Sequence, residues 1–240
     1  MKIYLFDIDG TLTESRKKIS SEFVYNFLNW MNDKNVYLVT GSDKPKVSEQ
    51  LPQSIISRCK GVFTCMANEL WIQEKLEYKN NFTPPKTLIE QLSSFQIKTK
   101  SPSFALGKSP FFEYRTGMLN FTTIGRNCTQ RQRDVYYEWD NQNQERKSIV
   151  KKLSPLYKEL EFKIGGQISI DIQPKGANKS QATKWLRNKF KNCEFVFFGD
   201  RCFKDGNDYD IVLDIEKNKD GKWFNVESPK DTQLILQHCD

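Results

Sequence analysis

Histidine is nearly missing from this sequence of 240 residues: His238, two residues before the last one, is the single copy. A Ser-His-Asp triad, an HExxH zinc site and phosphotransfer through histidine are therefore not expected. Six cysteines are present, but they form no C-x-x-C pair and no zinc-binding spacing, and such thiols are typical of a reducing, cytoplasmic compartment. Acid–base chemistry at neutral pH is left to carboxylates, lysine or a metal-bound water.

Long apolar runs are missing as well. No segment approaches the length of a membrane span, and Met1–Asp7 lacks the apolar stretch of a signal peptide, so we expect no membrane contact. Hydrophobic residues make up 38% of the chain and charged residues 28%. These values are typical of a soluble globular protein, with one large domain or two small ones.

Acidic residues are fewer than basic ones: 30 acidic and 37 basic residues give a net charge of +7. Such a surplus fits either a nucleic-acid surface or sites for anionic substrates such as phosphates. Many basic residues, including Lys151, Lys152, Lys184 and Arg187, fall on predicted helices, where a solvated face is the simpler interpretation. Since no DNA- or RNA-binding motif is present, we expect an anionic small molecule and no nucleic acid as partner.

Two carboxylates follow the first apolar run. Ile3–Phe6 is a predicted buried strand, and it leads into Asp7, Asp9 and Gly10, whose flexible backbone permits a sharp turn. Neighbouring carboxylates at a buried strand end repel each other, and burial adds a desolvation penalty. A magnesium ion would remove this penalty, because hard divalent cations bind carboxylate oxygens. The alternative is an ordinary Asp-Gly turn with solvated acids.

Two further predicted strands end close to polar residues of the same kind. The strand Val36–Val39 runs towards Ser42, and the strand Glu194–Phe198 runs into Asp200. We therefore expect Asp7, Ser42 and Asp200 to share the carboxyl edge of one parallel sheet, which is where open α/β sheets bind ligands. The turn at Ser42 precedes a helix, so it suits both a phosphate cradle and a simple N-cap, and the two interpretations are compatible.

The remaining pattern predicts an α/β core interrupted by a second domain. Polar and proline-containing sequence marks the boundaries, so we expect residues 1–81 and 175–240 to form a doubly wound parallel-sheet core and residues 82–174 an inserted α+β cap domain. The other predicted elements are, in order, a helix from Ser20 to about Asp33, a strand Gly61–Cys65, a hairpin Leu70–Tyr78, a helix Pro85–Ile97, strands Phe111–Arg115 and Met118–Ile124, helices Gln130–Trp139 and Ser148–Leu160, a strand Gln167–Ile172, and a helix from Lys179 to about Lys191.

One face of the predicted strand Gln167–Ile172 is polar, because Ser169 and Asp171 alternate with isoleucines. A polar strand face is often merely exposed to solvent. The inserted domain also contains three arginines that stand out: Arg115, Arg126 and Arg133. Guanidinium forks match phosphate oxygens, so this domain also suits a surface that binds an anion together with hydroxyl groups.

The segment Asp7-Ile8-Asp9-Gly10-Thr11-Leu12-Thr13 resembles the first motif of the haloacid dehalogenase superfamily of phosphotransferases. The resemblance implies that Asp7 attacks phosphorus and forms an aspartyl phosphate, while Asp9 protonates the leaving group and deprotonates the next acceptor. It also implies that Ser42 binds the transferring phosphoryl group and that Lys179 balances its charge. Magnesium would be held by Asp7, the backbone carbonyl of Asp9, Asp200, and the loop residues Asn207 and Asp208.

More specific motifs lie in the inserted domain. They are Phe112-Glu113-Tyr114-Arg115-Thr116-Gly117-Met118-Leu119-Asn120, Ile124-Gly125-Arg126-Asn127-Cys128-Thr129-Gln130 and Gly165-Gly166-Gln167-Ile168-Ser169-Ile170-Asp171. With the core motifs, they are similar to the eukaryotic-type phosphomannomutase family over nearly the whole chain. The resemblance implies interconversion of mannose 6-phosphate and mannose 1-phosphate for GDP-mannose synthesis, activation by a hexose 1,6-bisphosphate, glucose phosphates as further substrates, and a homodimer formed through the cap domain.

The family's substrate-binding residues match Arg16, Ser42, Arg115, Asn120, Arg126, Arg133, Ser169 and Asp171. The cap arginines among them would hold the phosphate that is not reacting, because a bisphosphate intermediate that turns end for end needs a second phosphate site. The other cap residues, Asn120, Ser169 and Asp171, would contact that phosphate or the sugar hydroxyls. The chain departs from the family at four places: Thr40 for Gly, Asn68-Glu69 for Asn-Gly, Asn178 for Asp, and Lys204-Asp205-Gly206 for a Pro-Gly-Gly run. These departures leave open the efficiency and the sugar preference.

Two other functions remain open. A sugar phosphatase on the same core would let water take the phosphoryl group from Asp7, so that free phosphate is released. A non-catalytic protein that binds anions through its basic surface is the third hypothesis, and the intact set Asp7, Asp9, Lys179 and Asp200 argues against it.

Overall fold

The computed structural model describes residues 1–204 and 206–238 and divides into two compact units. The core unit comprises residues 1–80 and the chain from residue 176 onwards, and the inserted unit comprises residues 81–175. Each junction lies one residue from the predicted boundary. The predicted α/β fold, with a parallel-sheet core and an inserted α+β unit, is confirmed.

The described residues form eleven strands and nine α-helices, which are spread over both units. The strands are β1 (Lys2–Phe6), β2 (Asn35–Val39), β3 (Gly61–Thr64), β4 (Glu69–Ile72), β5 (Lys75–Lys79), β6 (Phe112–Arg115), β7 (Met118–Phe121), β8 (Leu160–Gly165), β9 (Ser169–Pro174), β10 (Glu194–Gly199) and β11 (Gly221–Asn225). The helices are α1 (Ser21–Trp30), α2 (Lys44–Gln50), α3 (Gln53–Ile56), α4 (Lys86–Ile97), α5 (Gln130–Asn143), α6 (Glu145–Leu153), α7 (Gln181–Lys189), α8 (Tyr209–Asn218) and α9 (Pro229–Leu236).

The core sheet has the strand order β11-β10-β1-β2-β3-β4-β5. The strands from β11 to β3 are parallel to one another, and the predicted hairpin forms the antiparallel pair β4–β5 at one edge. Strand β1 lies between β2 and β10, with Phe6 opposite Leu38 on one side and Phe198 on the other. The carboxyl ends of these three strands therefore meet at one edge of the sheet, as the sequence predicts.

Both faces of the core sheet are buried because its strands are apolar on both sides. In β1, Ile3 and Leu5 pack in the cluster that contains buried residues of α7 and α8. Tyr4 and Phe6 point to the other face and pack with α1 and α9. This burial on two faces is typical of doubly wound parallel sheets, and it fixes the direction in which each strand end points.

The first two helices begin at residues whose side chains cap them. The Ser20 hydroxyl accepts a hydrogen bond from the Phe23 backbone N–H at 3.2 Å, and the Asp43 carboxylate accepts one from the Lys46 N–H at 3.0 Å. Pro45 lies in the first turn of α2, where its missing N–H is not needed. Helix α1 ends at Trp30, three residues before the predicted end.

The inserted unit is built on an antiparallel sheet with the order β6-β7-β9-β8. Ile170 and Ile172 of β9 are buried against residues of α4 and α6, as the alternating pattern predicts. Ile168 is also buried, but it precedes β9 and packs in a smaller cluster with Tyr136. The opposite face of the sheet carries polar side chains.

One predicted helix of the inserted unit is wrong in its second half. The sequence pattern predicts a helix Ser148–Leu160, whereas α6 ends at Leu153 and Leu160 is the first residue of β8. Pro155 follows the end of α6, and it has no N–H group with which to continue the helical ladder. The predicted helix from Lys179 also begins later, so Lys179 lies on the turn before α7.

Among the described residues, no helix is both long and apolar enough to cross a membrane. No disulfide bond joins the five described cysteines, and Cys239 lies outside the described residues.

Candidate active site

A buried lysine joins two carboxylates at the end of β1. Lys179 Nζ lies 2.7 Å from Asp7 Oδ1 and 2.7 Å from Asp208 Oδ1. The backbone of Asp7 is held by its N–H, which donates to the Phe198 carbonyl at 2.9 Å. Asp208 is held through its second oxygen, which accepts the Arg201 N–H at 3.1 Å. All three charged side chains are almost completely shielded from water.

Burial and neighbouring charges shift the pKa values in this cluster. Burial raises the pKa of Asp7 to about 8, because the stabilising charge of Lys179 does not outweigh desolvation and the nearby Asp208. Burial alone would lower the pKa of Lys179, but the charges of Asp208 and Asp7 raise it above its ordinary value. The pKa of Asp200 is also raised, first by burial and then by Asp208. The single lysine therefore does not balance the three carboxyl groups of the cluster.

The same carboxylates have the arrangement of a divalent-cation site. One oxygen each from Asp7, Asp200 and Asp208 lies within 4.8 Å of the others. In addition, the Oδ1 atom of Asn207 is buried and has no hydrogen-bond partner among the described residues. An all-oxygen donor set and an excess of negative charge fit Mg²⁺. Three of the residues predicted to hold magnesium, Asp7, Asp200 and Asp208, are thus brought together, and magnesium binding itself stays a prediction.

Gly10 permits the close approach of Asp200 to the first motif. Its φ angle is +78°, and a Cβ atom at this position would lie 2.3 Å from Asp200 Oδ2. Any other residue would therefore be strained in its backbone and would collide with the carboxylate. Gly10 is thus the residue that lets Asp200 lie against the turn that follows β1.

The Asp9 carboxylate lies apart from the lysine cluster and is held by one oxygen. Its Oδ1 accepts the Arg16 backbone N–H at 2.6 Å and the Gln50 side-chain amide at 2.8 Å. Its Oδ2 lies 3.5 Å from the Ser42 hydroxyl. Asp9 and Ser42 are thus neighbours, because the turns that follow β1 and β2 lie at the same edge of the sheet. Arg16, a predicted substrate ligand, is exposed and contacts Asp9 through its backbone.

Gln50 was not among the predicted site residues. Its side chain is buried at the end of α2, where its Nε2 also lies 3.1 Å from the Thr13 hydroxyl. Its Oε1 has no hydrogen-bond partner among the described residues. The sequence around Glu49 and Gln50 does not indicate that Gln50 contacts Asp9. Only the fold shows that the end of α2 lies next to the first motif.

The turn after β2 has the geometry of an N-cap. The Ser42 N–H, one of the groups expected to face a phosphate, donates to the Thr40 hydroxyl at 3.1 Å. Thr40 stands where the resembled family has Gly, so this departure adds an internal partner for the Ser42 N–H. The N-cap interpretation is confirmed by Asp43, and phosphate binding by Ser42 stays a prediction.

A left-handed segment supports this turn. Cys65, Met66 and Ala67 have φ angles of +53°, +60° and +60°. The Cys65 N–H donates to the Ser42 carbonyl at 2.9 Å, and the Met66 N–H donates to the Thr40 carbonyl at 3.0 Å. Non-glycine residues rarely adopt this conformation, because it brings Cβ close to the following carbonyl oxygen. The segment therefore supports the turn through backbone hydrogen bonds, a feature that the sequence pattern does not predict.

The other departures from the family pattern have structural partners. Glu69 is buried, where it accepts the Thr64 hydroxyl at 3.0 Å and pairs with Lys79 at 3.2 Å. Asn178 Oδ1 accepts both the N–H and the hydroxyl of Ser180. These contacts fix β4 and the turn that carries Lys179. Of the run 204–206, residue 205 lies outside the described residues.

In the inserted unit, Arg126 is the centre of a polar cluster on the open face of the sheet. Its Nη1 donates to Asn120 Oδ1 at 2.6 Å and to the Ser169 hydroxyl at 3.2 Å. Asn120 in turn donates to Asp171 Oδ1 at 2.5 Å. Asn120 and Asp171 are cross-strand neighbours of β7 and β9, which explains their contact. Four predicted substrate ligands thus form one connected group.

The other two predicted arginines of this unit adjoin that group. Arg133 Nη2 donates to the Arg126 carbonyl at 3.3 Å. Arg115 is exposed and forms a fork with Glu113, whose second oxygen lies 2.5 Å from Arg126 Nη2. The guanidiniums of Arg115 and Arg126 therefore meet at Glu113, a residue that was not among the predicted ligands.

The whole sequence is similar to enzymes of one family. A family model described as eukaryotic phosphomannomutase matches residues 24–239. A phosphomannomutase of Dendrobium officinale is 35% identical over 235 residues, which cover 96% of this chain and 90% of that protein. A protein named phosphomannomutase 1 of Dictyostelium discoideum is 34% identical over 248 residues, which cover 98% and 94%.

Solved structures of the haloacid dehalogenase superfamily share the fold. A haloacid dehalogenase-like hydrolase from Bacteroides thetaiotaomicron superposes with a TM-score of 0.63 over 100% of this chain and 99% of its own. Its sequence identity is 11%, so this likeness concerns the fold alone.

Proposed function

The chain belongs to the eukaryotic phosphomannomutase family, and we propose that it interconverts mannose 6-phosphate and mannose 1-phosphate through an aspartyl phosphate on Asp7 and a hexose bisphosphate. The observation that carries this proposal is the Lys179 ammonium between Asp7 and Asp208 at the sheet edge, next to Asp200. A phosphoryl group at this edge would meet a carboxylate nucleophile, a buried cation and oxygen ligands for a metal.

The first half of the reaction uses Asp7 and Asp9. Phosphorylated Asp7 donates its phosphoryl group to the free hydroxyl of a hexose phosphate: the new P–O bond forms to the sugar oxygen, and the bond to the Asp7 carboxylate breaks. Asp9 takes the proton of that hydroxyl. The contacts of Arg16 and Gln50 with Oδ1 of Asp9 support this role, because they fix the carboxylate and leave Oδ2 as the oxygen nearer Ser42.

The second half runs the same chemistry on the other end of the bisphosphate. After the intermediate has turned, the Asp7 carboxylate attacks the second phosphorus and the bond to the sugar oxygen breaks. Asp9 returns its proton to that oxygen, so protons and phosphoryl groups balance over the cycle. Lys179 engages Oδ1 of Asp7, and we therefore expect Oδ2 to be the attacking atom.

Magnesium is part of the proposal. Asp7, Asp200 and Asn207, with the Asp9 carbonyl, are the residues that we expect to hold Mg²⁺, whose charge would keep Asp7 ionised and screen the phosphoryl oxygens. Asp208 was predicted as a further ligand; its contacts with Lys179 and the Arg201 N–H favour a role in positioning Lys179 instead.

The inserted unit would hold the phosphate that is not reacting. Arg126, Arg115 and Arg133 supply positive charge, while Asn120, Ser169 and Asp171 suit the sugar hydroxyls or the phosphate. The proposal is supported by the connected hydrogen bonds among these side chains, which orient the Arg126 fork.

We also propose a compartment, an activator, further substrates and an oligomeric state for the enzyme. It would act in the cytoplasm, be activated by a hexose 1,6-bisphosphate, accept glucose phosphates as well, and supply mannose 1-phosphate for GDP-mannose. A homodimer through the inserted unit is supported by apolar side chains that are largely exposed there: Ile97, Phe104 and Tyr114. Light scattering of the purified protein tests the dimer.

A coupled assay tests the function. Mannose 1-phosphate and glucose 1-phosphate are supplied separately, with and without Mg²⁺ and a hexose 1,6-bisphosphate, and both hexose 6-phosphate and free phosphate are measured. We expect hexose 6-phosphate to form only with Mg²⁺, and faster with the bisphosphate. Stoichiometric release of free phosphate would indicate a sugar phosphatase and would contradict the proposal.

A further inference from the structure

Glu113 forms ion pairs with two of the arginines that the proposed reaction needs. It lies on β6 two residues before Arg115, so both side chains project from the same face of the strand. Arg115 donates from Nε to Oε1 and from Nη2 to Oε2, each at 2.9 Å. Arg126 Nη2 lies 2.5 Å from the same Oε2. One carboxylate thus neutralises two guanidiniums.

These contacts use the N–H groups that a phosphate would use. A guanidinium binds carboxylate and phosphate through the same planar fork of donors. The other terminal nitrogen of Arg126 is already engaged with Asn120 and Ser169, so Nη2 is the nitrogen that faces Glu113. A phosphate that reaches Arg126 through Nη2 therefore competes with Glu113 for the same donor.

The net charge of the cluster also indicates that Glu113 competes with a bound phosphate. Arg115, Arg126 and Arg133 contribute three positive charges, and Glu113 and Asp171 contribute two negative ones, which leaves +1. Without Glu113 the balance is +2. Hydrogen bonds from Arg115 lower the pKa of Glu113, partial burial opposes this change, and the charges of Arg115 and Arg126 add to it, so the carboxylate is ionised at neutral pH.

We propose that Glu113 is an internal counter-anion: it holds Arg115 and Arg126 in the substrate-free enzyme, is displaced by the non-reacting phosphate of the substrate, and recaptures both arginines when that phosphate leaves. This inference rests on the proposed function of the arginines. Glu113 acts through them and is a positioning residue.

The consequence for catalysis is a limit on affinity. An intermediate that has to turn end for end must release its bound phosphate once in every cycle. A carboxylate that takes over the arginines stabilises the released state, so it lowers the affinity for phosphate and raises the rate of release. Removing its charge should strengthen binding and slow turnover together, whereas a residue that merely supports the sheet would weaken both.

The variant Glu113→Gln tests this prediction, because it keeps the size of the side chain and removes its charge. We expect KM for mannose 1-phosphate to fall about fivefold, the upper range for an ion pair of this exposure, and kcat to fall as well. Glu138→Gln is the matched control, since it removes one exposed carboxylate from α5 of the same unit. A rise in KM for Glu113→Gln would overturn the inference and would show that Glu113 orients the arginines for binding.

A second measurement separates this inference from the proposed function. Inorganic phosphate is titrated into the wild type, Glu113→Gln and Arg126→Ala, and thermal unfolding is recorded. We expect phosphate to stabilise Glu113→Gln more than the wild type and Arg126→Ala less. If Arg126→Ala loses stabilisation but Glu113→Gln gains none, the arginine site stands and the counter-anion fails. If Arg126→Ala responds like the wild type, the arginine site fails, and the counter-anion with it.

Discussion

The ammonium of Lys179 lies 2.7 Å from Oδ1 of Asp7, and both side chains are almost completely shielded from water. Lys179 stands on the turn before α7, and Asp7 stands at the end of β1, so two distant parts of the sequence supply the pair. The proposed role of Asp7 as nucleophile would require a nearby cation, because the incoming phosphoryl group adds negative charge to a buried carboxylate.

Replacing the proposed nucleophile, Asp7, should abolish the proposed covalent intermediate. Asp7→Asn keeps the shape of the side chain and removes the attacking oxygen anion, so we expect no phosphoenzyme and no conversion of hexose phosphates. Acid-quenched protein after incubation with labelled hexose 1,6-bisphosphate provides the measurement. Asp43→Asn is the control, since asparagine also caps helices and α2 should remain intact. Turnover retained by Asp7→Asn would refute the assignment of the nucleophile.

Removing the lysine should destabilise the fold as well as stop the reaction. Lys179→Met leaves Asp7 and Asp208 buried without their shared cation, and breaking a buried ion pair in this way costs about 3–5 kcal/mol. Urea unfolding of the metal-free protein measures the loss. The double variant Lys179→Met/Asp208→Asn should recover part of it, because one buried charge is then removed. An unchanged midpoint for Lys179→Met would argue against the pairing.

The stability of the metal-free protein should depend on the protonation of Asp7. Its folded-state pKa of about 8 exceeds the ordinary 3.8, so between these values the folded state binds more protons than the unfolded state. This contribution to stability is complete below about pH 3.8 and is lost as pH rises towards 8. We expect thermal unfolding scans to show that Mg²⁺ stabilises the protein more at pH 8 than at pH 5.

The same scans on Asp7→Asn provide the control for this pH effect. An amide does not titrate, so the difference in Mg²⁺ stabilisation between pH 5 and pH 8 should become smaller. A difference as large as in the wild type would assign the effect to another group.

Asp9 should matter most when the leaving group is a poor one. A sugar oxygen needs a proton as it departs, whereas 4-nitrophenolate leaves without one. Asp9→Asn should therefore slow phosphoenzyme formation from a hexose 1,6-bisphosphate by about 10²–10⁴-fold and formation from 4-nitrophenyl phosphate far less. Rapid-quench measurement with both donors checks this prediction. An equal loss with both would show that Asp9 does not act as the acid.

Arg126 should be more sensitive than Arg133 to a conservative change. Arg126 donates to Asn120 and Ser169 through one nitrogen and faces Glu113 with another, whereas Arg133 reaches the carbonyl of Arg126. Lysine cannot reproduce a guanidinium fork. We expect Arg126→Lys to raise KM by more than tenfold, roughly the value of one charged hydrogen bond, and Arg133→Lys by less. Steady-state kinetics with mannose 1-phosphate decides the order, and the reverse order would place Arg133 at the centre.

The second anion site can be separated from the chemistry with Arg133→Ala. We expect this variant to weaken substrate binding or turnover of hexose 1-phosphate, while any slow hydrolysis of the bisphosphate at Asp7 is less affected. Equal losses of both activities would argue against a separate site on the inserted unit.

The positions of the strand ends were predictable from the sequence, whereas the contacts between residues on distant turns were not. Asp7 and Asp200 follow short apolar runs that are buried on both faces, and this pattern fixes where β1 and β10 end. The contact of Lys179 with Asp208 depends on how the turn before α7 approaches the loop before α8, and no periodicity encodes it. The contact of Gln50 with Asp9 was not predictable either, because it depends on how the end of α2 packs against the first motif.

The role of Glu113 needed strand register as well as sequence. Its alternation with Tyr114 places it on one face of β6, but the pattern does not show that the loop after β7 brings Arg126 to the same carboxylate. The misplaced helix Ser148–Leu160 has a related cause. Its apolar residues fit a helical period, and the proline in the middle was the stronger signal, because it marks the point where α6 ends and the chain turns towards β8.

The fate of the phosphoryl group on Asp7 tests the central claim most directly. The enzyme is charged with labelled hexose 1,6-bisphosphate in the presence of Mg²⁺, separated from free sugar, and chased with unlabelled mannose 6-phosphate. The mutase account predicts that the label leaves Asp7 with the sugar, as hexose bisphosphate and hexose phosphate. Label that appears as inorganic phosphate, at a rate that mannose 6-phosphate does not change, would contradict it.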